Sequence, residues 1–259
     1  MKLPVFVAGE GESLLMIHGI ISDGSFFHNI AEELKDTYQV IGYDRRGYGH
    51  AEKPADDSYT VEAQAEDAAE VIRTYGKAPV WILGNSAGGL IAIELCLKHP
   101  ELVRGLLLLE PSLAYDEESI ALLRAWNEEL NGFVQAKRIK RALPAFSRVI
   151  GQAETGKSAS TLEEMKQTYA NLTNFMHGEL NEVQHYAPPV DELQQIQQPI
   201  RVIITENGRN SIFATSSRHG AEILGWKCCS VPGYHNALKD EAAAAAICIR
   251  TQLEEMKGE

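Results

Sequence analysis

The chain has 259 residues, of which 44% are hydrophobic and 23% charged, and its formal net charge is −12. This length can bury a sizeable core, either as one large α/β domain or as a core with an inserted subdomain. The acidic balance argues against nucleic acid or an anionic membrane surface as a partner, because both require a basic face. No apolar run is long enough to span a bilayer and the N-terminus has no signal-peptide pattern, so we expect a cytoplasmic protein.

The cysteines provide no sign of a metal site. Cys96, Cys228, Cys229 and Cys248 lack the spacing of metal ligands, and the adjacent pair falls within a predicted strand. We therefore expect buried free thiols in a reducing compartment.

The first part of the chain alternates between strand and helix patterns. The predicted strands are residues 4–8, 13–17, 39–43, 80–83 and 103–109. The predicted helices between them are residues 25–35, 61–75 and 90–97. The turn Gly9-Glu10-Gly11 is short enough for a hairpin between the first two strands. The later alternation implies right-handed crossovers and a mostly parallel sheet flanked by helices.

The most informative stretch surrounds Ser86. Residues 80–83 are an unbroken apolar run, typical of a parallel strand covered on both faces, and an apolar helix pattern follows from Leu90. Between them, Gly84 and Gly88 stand two places before and after Ser86, where bulkier residues would clash on a tight turn. The pattern predicts a sharp turn that presents the Ser86 hydroxyl to a cleft.

The stretch from residue 112 to 198 has no strand pattern. Its predicted helices are residues 120–134, 139–150, 162–176 and 190–196, with a flexible segment at residues 151–160. This length is too great for a loop, so we predict a helical lid, residues 112–198, inserted into a core made of residues 1–111 and 199–259. The core resumes with predicted strands at residues 200–205 and 227–231 and predicted helices at residues 213–224 and 240–256.

Three further motifs accompany the serine turn. His18-Gly19 ends an early strand, residues 44–49 (DRRGYG) follow another, and residues 232–235 (PGYH) follow a late one. With these motifs the chain resembles the α/β-hydrolase superfamily nearly from end to end. The resemblance implies that fold, a nucleophilic Ser86 and a general base at His235. It also implies an oxyanion hole made by the backbone N–H groups of Ile20 and Ala87. For the His18 imidazole itself we favour the role of a hydrogen-bonded structural group.

The catalytic acid is where the chain departs from most of these relatives. They commonly carry an Asp shortly after the strand that matches residues 200–205, and no Asp stands there in this chain. Some members carry the acid one strand beyond the serine strand, and Glu110 occupies that place. Glu206 is the competing candidate, although it comes a few residues early. We favour Glu110 and leave Glu206 open.

The resemblance implies a serine hydrolase that forms an acyl-enzyme on Ser86, and we expect its substrate to be a small, moderately apolar ester or lactone. The same geometry resembles that of C–C bond hydrolases and perhydrolases, and fold does not select among them. A binding or sensory module that retains the fold with little turnover is the alternative from another class. Apolar lid residues, Trp126 among them, are candidates for substrate contact. We expect a small-molecule substrate, neither metal nor organic cofactor, and a monomer or homodimer.

Overall fold

The structure is a computed structural model, and it describes residues 1–55, 58–111, 113–150 and 161–258. In these residues seven strands form one sheet with the order β1-β3-β2-β4-β5-β6-β7. The strands are β1 (Val5–Ala8), β2 (Glu12–Ile17), β3 (Tyr38–Tyr43), β4 (Val80–Asn85), β5 (Val103–Leu109), β6 (Ile200–Thr205) and β7 (Lys227–Val231). All neighbours are parallel except β1 and β3. The predicted mostly parallel sheet is confirmed.

Helices cover both faces of this sheet. They are α1 (His28–Leu34), α2 (Val61–Tyr75), α3 (Ala87–Lys98), α4 (Glu117–Gln135), α5 (Ala142–Val149), α6 (Leu162–Asn174), α7 (Leu180–His185), α8 (Val190–Leu193), α9 (Ile212–Leu224), α10 (Ala237–Asp240) and α11 (Ala242–Met256). Short 3₁₀ segments lie at Gly24–Phe27, Pro100–Leu102 and Ile139–Arg141. Within the described ranges, no helix combines the length and the apolar character needed to cross a bilayer.

The expected hairpin between the first two strands is wrong. β1 pairs antiparallel with β3, while β2 lies between β3 and β4 and is parallel to both. The reason is burial: Leu14 to Ile17 of β2 are fully buried, whereas β1 is only partly covered. A strand that is apolar on both faces belongs inside the sheet, so the half-polar β1 takes the edge. The turn from β1 to β2 therefore crosses the start of β3.

Successive residues of β2 contribute to two different cores. Leu15 and Ile17 pack with α2 and α3 on one face of the sheet. Leu14 and Met16 pack with α1 and α11 on the other face. This alternation follows from the two-residue repeat of a strand. Because both faces are covered, the carboxyl ends of the central strands are the open edge at which a site can form.

The described residues between β5 and β6 are helical, as predicted. They form the helical insertion, which contains α4 to α8. The predicted helix 162–176 is longer than expected, because α6 continues through the π-helical segment Phe175–Glu179 into α7. The predicted flexible segment 151–160 lies outside the described residues.

The expectation that the cysteines are buried is wrong in part. All four are free thiols, but only Cys96 is buried, while Cys228 is exposed and Cys229 and Cys248 are half-buried. For Cys228 and Cys229 the cause is the position of β7 at the edge of the sheet, where most of its residues keep contact with solvent.

We predict that Gly88→Ala destabilises the fold by about 3 kcal/mol or more, because its Cβ would lie 2.1 Å from the carbonyl oxygen of Ile17. Gly132→Ala is the matched control, since its Cβ would meet no atom within 4 Å and it lies inside α4. That variant should gain about 0.5 to 1 kcal/mol from helix propensity. Urea unfolding measures both, and equal midpoints for the two variants would contradict the packing described here.

Candidate active site

Ser86 stands on a strained turn between β4 and α3. Its backbone has φ 53° and ψ −124°, a conformation that non-glycine residues rarely adopt. The glycines on either side permit the turn, because a Cβ on Gly84 would lie 2.6 Å from the Cα of Gly89. The Ser86 N–H donates to the carbonyl of Leu109 at 2.8 Å, which ties the turn to the end of β5. The predicted sharp turn after β4 is therefore present.

Glu110 and His235 are in direct contact. The Nδ1 atom of His235 lies 2.5 Å from Oε2 of Glu110, a short hydrogen bond between side chains that are 125 residues apart. The other carboxylate oxygen accepts hydrogen bonds from Thr205, at 2.9 Å from its N–H and 2.5 Å from its hydroxyl. The carboxylate is completely buried. Hydrogen bonds to both oxygens are what allow a carboxylate to remain in such a site.

Glu206 lies elsewhere. It is exposed at the end of β6, and its carboxylate accepts a hydrogen bond at 3.1 Å from the Ser230 hydroxyl on β7. Its backbone N–H donates to Val231. Of the two candidate acids, Glu110 is the one whose carboxylate is hydrogen-bonded to His235.

The loop that carries His235 is held from two sides. Asn207 N–H donates to the Gly233 carbonyl, and Gly233 N–H donates to the Asn207 side chain, both at 3.0 Å. Gly233 has φ 96°, which a residue with a side chain adopts only under strain. The ring of Phe213 lies 4.8 Å from the His235 ring at a tilt of 32°. These contacts fix both the loop and the plane of the imidazole.

The loop after β2 lies beside Ser86. A Cβ placed on Gly19 would be 3.0 Å from the Cβ of Ser86, so a larger residue at position 19 would crowd the Ser86 side chain. Ile20 follows directly and lines the same cavity as Ser86. Ala87 is the first residue of α3, where a backbone N–H has no acceptor within the helix. Its N–H also lies at the positive end of the helix dipole.

His18 is structural, as predicted for its imidazole. It is fully buried, its Nε2 accepts from the Arg45 N–H at 3.0 Å, and its Nδ1 lies 2.8 Å from the Gly19 carbonyl. Nε2 as acceptor and Nδ1 as donor correspond to the neutral ring. Burial, assisted by the nearby Arg45 charge, lowers the pKa of His18 well below 6.5.

A buried ion pair joins the helical insertion to the core. The Arg45 guanidinium lies 2.5 Å from the carboxylate of Glu179, and both side chains are at most 1% exposed. Tyr48 and Gln64 also donate to the Glu179 carboxylate. Arg45 donates in addition to the Gly19 carbonyl at 2.9 Å. One cation therefore connects the π-helical segment of the insertion to the loop beside Ser86.

A cavity of about 610 Å³ lies between the sheet and the insertion. Ser86 and His235 both line it, and among the described residues no hydrogen bond joins the Ser86 hydroxyl to the imidazole. Its apolar lining residues include Ile20, Ile21, Leu143, Phe146, Ile150 and Phe213. Its polar lining residues include Gln167, Thr168, Asn171, Asn236 and Lys239. The volume is in the range of pockets for small organic molecules.

Trp126 is set back from this cavity. Its ring packs edge to face against Phe146 and Phe213, with centroids 5.1 Å apart in each case. Those two rings line the cavity, whereas Trp126 is not among the described lining residues. The contact of Trp126 with substrate stays a prediction, and its observed role is to support the two phenylalanines.

Three of the described side chains bring atoms that could bind a metal ion close together. Atoms of Asp116, Glu118 and His219 lie within 4.8 Å of one another, near the start of α4. Asp116 already caps α4 by accepting from the Ser119 N–H at 2.9 Å. Burial opposes its ionisation, but hydrogen bonds from Ser119 and His219 outweigh that effect and lower the pKa of Asp116 to about 2. These contacts explain the cluster as part of the N-terminal cap of α4.

Several residues of the site carry no motif in the sequence. Thr205 carries the one hydroxyl group of β6 and stands at the end of that mainly apolar strand. Its position is the only feature of the sequence that indicates a polar partner. Asn207 and Phe213 belong to a turn and a helix that look ordinary. Arg45 and Glu179 are 134 residues apart, and their pairing is visible only in the structure.

The chain belongs to the α/β-hydrolase family. The sequence profile of the α/β-hydrolase fold matches residues 12–208, about three quarters of the chain. The matched range runs from β2 into the turn after β6 and includes Ser86 and Glu110, while His235 lies beyond it. The fold and family that the motifs implied are confirmed.

Two individual relatives match a shorter part of the chain than the family profile does. The uncharacterized hydrolase YraK of Bacillus subtilis is 31% identical over 173 residues, which cover 66% of this chain and 58% of YraK. The 2-(acetamidomethylene)succinate hydrolase of Mesorhizobium japonicum is 30% identical over 125 residues, which cover 48% of this chain and 45% of that protein. The chain thus spans about half the length of these curated relatives.

The similarity to solved structures extends over nearly the whole chain. A thermophilic esterase from Thermogutta terrifontis superposes with a TM-score of 0.70 at 20% identity, covering 98% of this chain and 93% of that chain. At this identity the likeness shows a shared fold alone.

We predict that Glu179→Ala destabilises the protein by about 3 to 5 kcal/mol, because it leaves the buried Arg45 charge without its partner. Glu129→Ala is the matched control. Glu129 pairs with Arg148 at the surface, where both side chains are at least 40% exposed, and its loss should cost less than about 1 kcal/mol. Urea unfolding compares them, and equal losses would contradict the anchoring role of Glu179.

The buried neutral His18 predicts a pH dependence of stability. Its pKa is lower in the folded state than the ordinary 6.5, so below pH 6.5 the unfolded chain binds a proton that the folded chain does not. The free energy of unfolding should then fall with decreasing pH by up to about 1.4 kcal/mol per unit. His18→Gln should flatten this slope between pH 6.5 and 5. Identical slopes in the two proteins would be inconsistent with a neutral buried imidazole.

Proposed function

We propose that the protein is a serine hydrolase in which Ser86 is the nucleophile, His235 the general base and Glu110 the acid that orients it. The observation that carries the proposal is the 2.5 Å hydrogen bond between His235 and the buried Glu110, on an imidazole that shares a cavity with Ser86. Nδ1 is occupied by Glu110, which leaves Nε2 for the proton of the serine hydroxyl.

The reaction follows from these roles. Ser86 attacks the acyl carbon while His235 takes its proton, and the Glu110 carboxylate stabilises the imidazolium that forms. His235 then protonates the leaving alcohol and activates the water that releases the acid. The proposal requires the hydrogen bond from Ser86 to Nε2 to form when substrate binds. Such bonds are often long in unliganded enzymes and tighten in the reacting complex.

The backbone N–H groups of Ile20 and Ala87 are the proposed donors to the oxyanion. Two features support this assignment: Gly19 brings the Ile20 loop against Ser86, and Ala87 begins α3. Removing one such donor typically costs about 2.7 to 4 kcal/mol in the barrier. These two N–H groups would therefore supply a large share of the rate acceleration.

The proposed substrate is a small, moderately apolar ester or lactone. The apolar lining near Ile20, Leu143 and Phe213 suits an uncharged acyl or ring group, and the polar residues of α6 suit a carbonyl or hydroxyl further out. The helical insertion is the proposed lid, since Leu143, Phe146 and Asn171 belong to it and line the cavity. Its anchor is the Arg45–Glu179 pair.

The experiment that tests the nucleophile is labelling with a fluorophosphonate followed by intact mass and peptide mapping. We expect one adduct, on Ser86, and none in Ser86→Ala. Hydrolysis of p-nitrophenyl esters of increasing acyl length and of a lactone panel then measures substrate class. An unlabelled wild-type protein that is inactive on both panels would contradict the proposal and favour a binding module.

The test of the acid compares Glu110 with Glu206. We predict that Glu110→Ala lowers kcat by about 10³ to 10⁴, because the imidazole loses its orientation and its counter-charge. Glu110→Gln keeps the side-chain volume, and we expect a similar loss of kcat in that variant. If circular dichroism shows that the variant is folded, the loss reflects catalysis and not a loss of stability.

Glu206→Ala is the matched control. Its exposed carboxylate contacts Ser230, so kcat should change less than twofold, as expected for a surface contact. The reverse order of effects would overturn the assignment of Glu110.

A further inference from the structure

Two cysteines that are 19 positions apart in sequence meet at the edge of the sheet. The sulfur atoms of Cys229 on β7 and Cys248 on α11 lie 3.8 Å from each other, and both side chains pack against the same apolar core beneath α11. Both are free thiols and both are half-buried. Neither takes part in the chemistry proposed for Ser86.

The adjacent Cys228 is on the other side of the strand. Successive residues of a strand point to opposite faces, so Cys229 faces α11 while Cys228 faces away from it. The pair that can react is therefore the one between strand and helix, rather than the two neighbours in sequence. A disulfide has sulfurs about 2.05 Å apart, so closing this pair requires an approach of about 1.8 Å. That approach would have to come from side-chain rotation and a small shift of α11.

The two thiols are chemically unequal. The hydrogen bond between the sulfurs lowers the pKa of Cys248 and raises the pKa of Cys229. In such a pair one sulfur takes the negative charge more readily than the other, and the thiolate is the form that reacts with oxidants. A neighbouring thiol in contact with a reactive one is the arrangement in which a sulfenic acid is resolved as a disulfide.

We propose that Cys229 and Cys248 form an oxidisable dithiol that hydrogen peroxide or an organic hydroperoxide converts to an intramolecular disulfide. One thiolate of the pair attacks a peroxide oxygen and breaks the O–O bond, giving a sulfenic acid. The leaving group is hydroxide from hydrogen peroxide or an alkoxide from an organic hydroperoxide, and it takes up the proton that the thiol released to become water or an alcohol. The second thiol then attacks the sulfenic sulfur, the S–S bond forms, the S–O bond breaks, and the oxygen leaves as water with the proton of the second thiol. Two thiols lose two electrons, and the peroxide gains them.

The disulfide would close a ring around the loop that carries His235. That loop lies between β7 and α11, and β7 is the edge strand, paired only with β6 in the described sheet. A ring of about 20 residues removes conformational freedom from the unfolded chain and ties the edge strand to a helix. We expect oxidation to raise Tm by about 5 to 10 °C. In a reducing compartment the pair rests as the dithiol.

The experiment treats the full chain with a slight excess of hydrogen peroxide, then alkylates the remaining thiols under denaturing conditions. We expect the loss of two of the four alkylatable thiols. We also expect a disulfide-linked peptide pair containing Cys229 and Cys248, and a Tm increase that dithiothreitol reverses. These readouts of mass and thermal stability do not depend on the serine chemistry proposed above.

Matched variants separate this pair from the other thiols. Cys228→Ser should behave like the wild type, whereas Cys229→Ser and Cys248→Ser should give no intramolecular bridge and no rise in Tm. A bridge between Cys228 and Cys229, a bridge between two chains, or retention of all four thiols after peroxide treatment would each overturn the proposal. A Cys229–Cys248 bridge without a rise in Tm would support the dithiol but contradict its stabilising link between β7 and α11.

Discussion

The buried carboxylate of Glu110 connects three parts of the structure that are distant in sequence. It stands at the end of β5, accepts two hydrogen bonds from Thr205 at the end of β6, and accepts a third from His235 after β7. An ionised carboxylate without these bonds would be costly to bury. The strand ends, the histidine loop and the acid are therefore fixed together, and the proposed chemistry depends on that arrangement.

A second buried charge relates the helical insertion to the same region. Arg45 pairs with Glu179 of the insertion and also donates to the carbonyl of Gly19, the residue before the proposed oxyanion donor Ile20. An insertion held by a buried ion pair has a defined position over the cavity. The geometry beside Ser86 therefore depends on how the insertion packs on the core. The link is the Arg45 side chain, which contacts neither Ser86 nor His235 in the described contacts.

Local patterns in the sequence predict most of the fold and the sharp turn at Ser86. The apolar run before Ser86, its flanking glycines and the strand-helix alternation are properties of neighbouring residues, and they indicated the sheet and the turn correctly. The pairing of β1 with β3 does not follow from such patterns, because the choice of a strand's neighbour depends on burial across the whole sheet. The resemblance to the superfamily favours Glu110 by its place at the end of a strand. The contacts of Thr205 and Asn207 and the Arg45–Glu179 pair join distant segments, and no local pattern encodes them.

The most direct measurement of the central claim is the proton NMR spectrum of the His235 Nδ1–H group in protein labelled with ¹⁵N-histidine. A proton held between an imidazole and a carboxylate at 2.5 Å should resonate far downfield of the backbone amides. The account predicts this resonance in the wild type and in Glu206→Gln, and its loss in Glu110→Gln. A resonance that persists in Glu110→Gln, or disappears in Glu206→Gln, would contradict it.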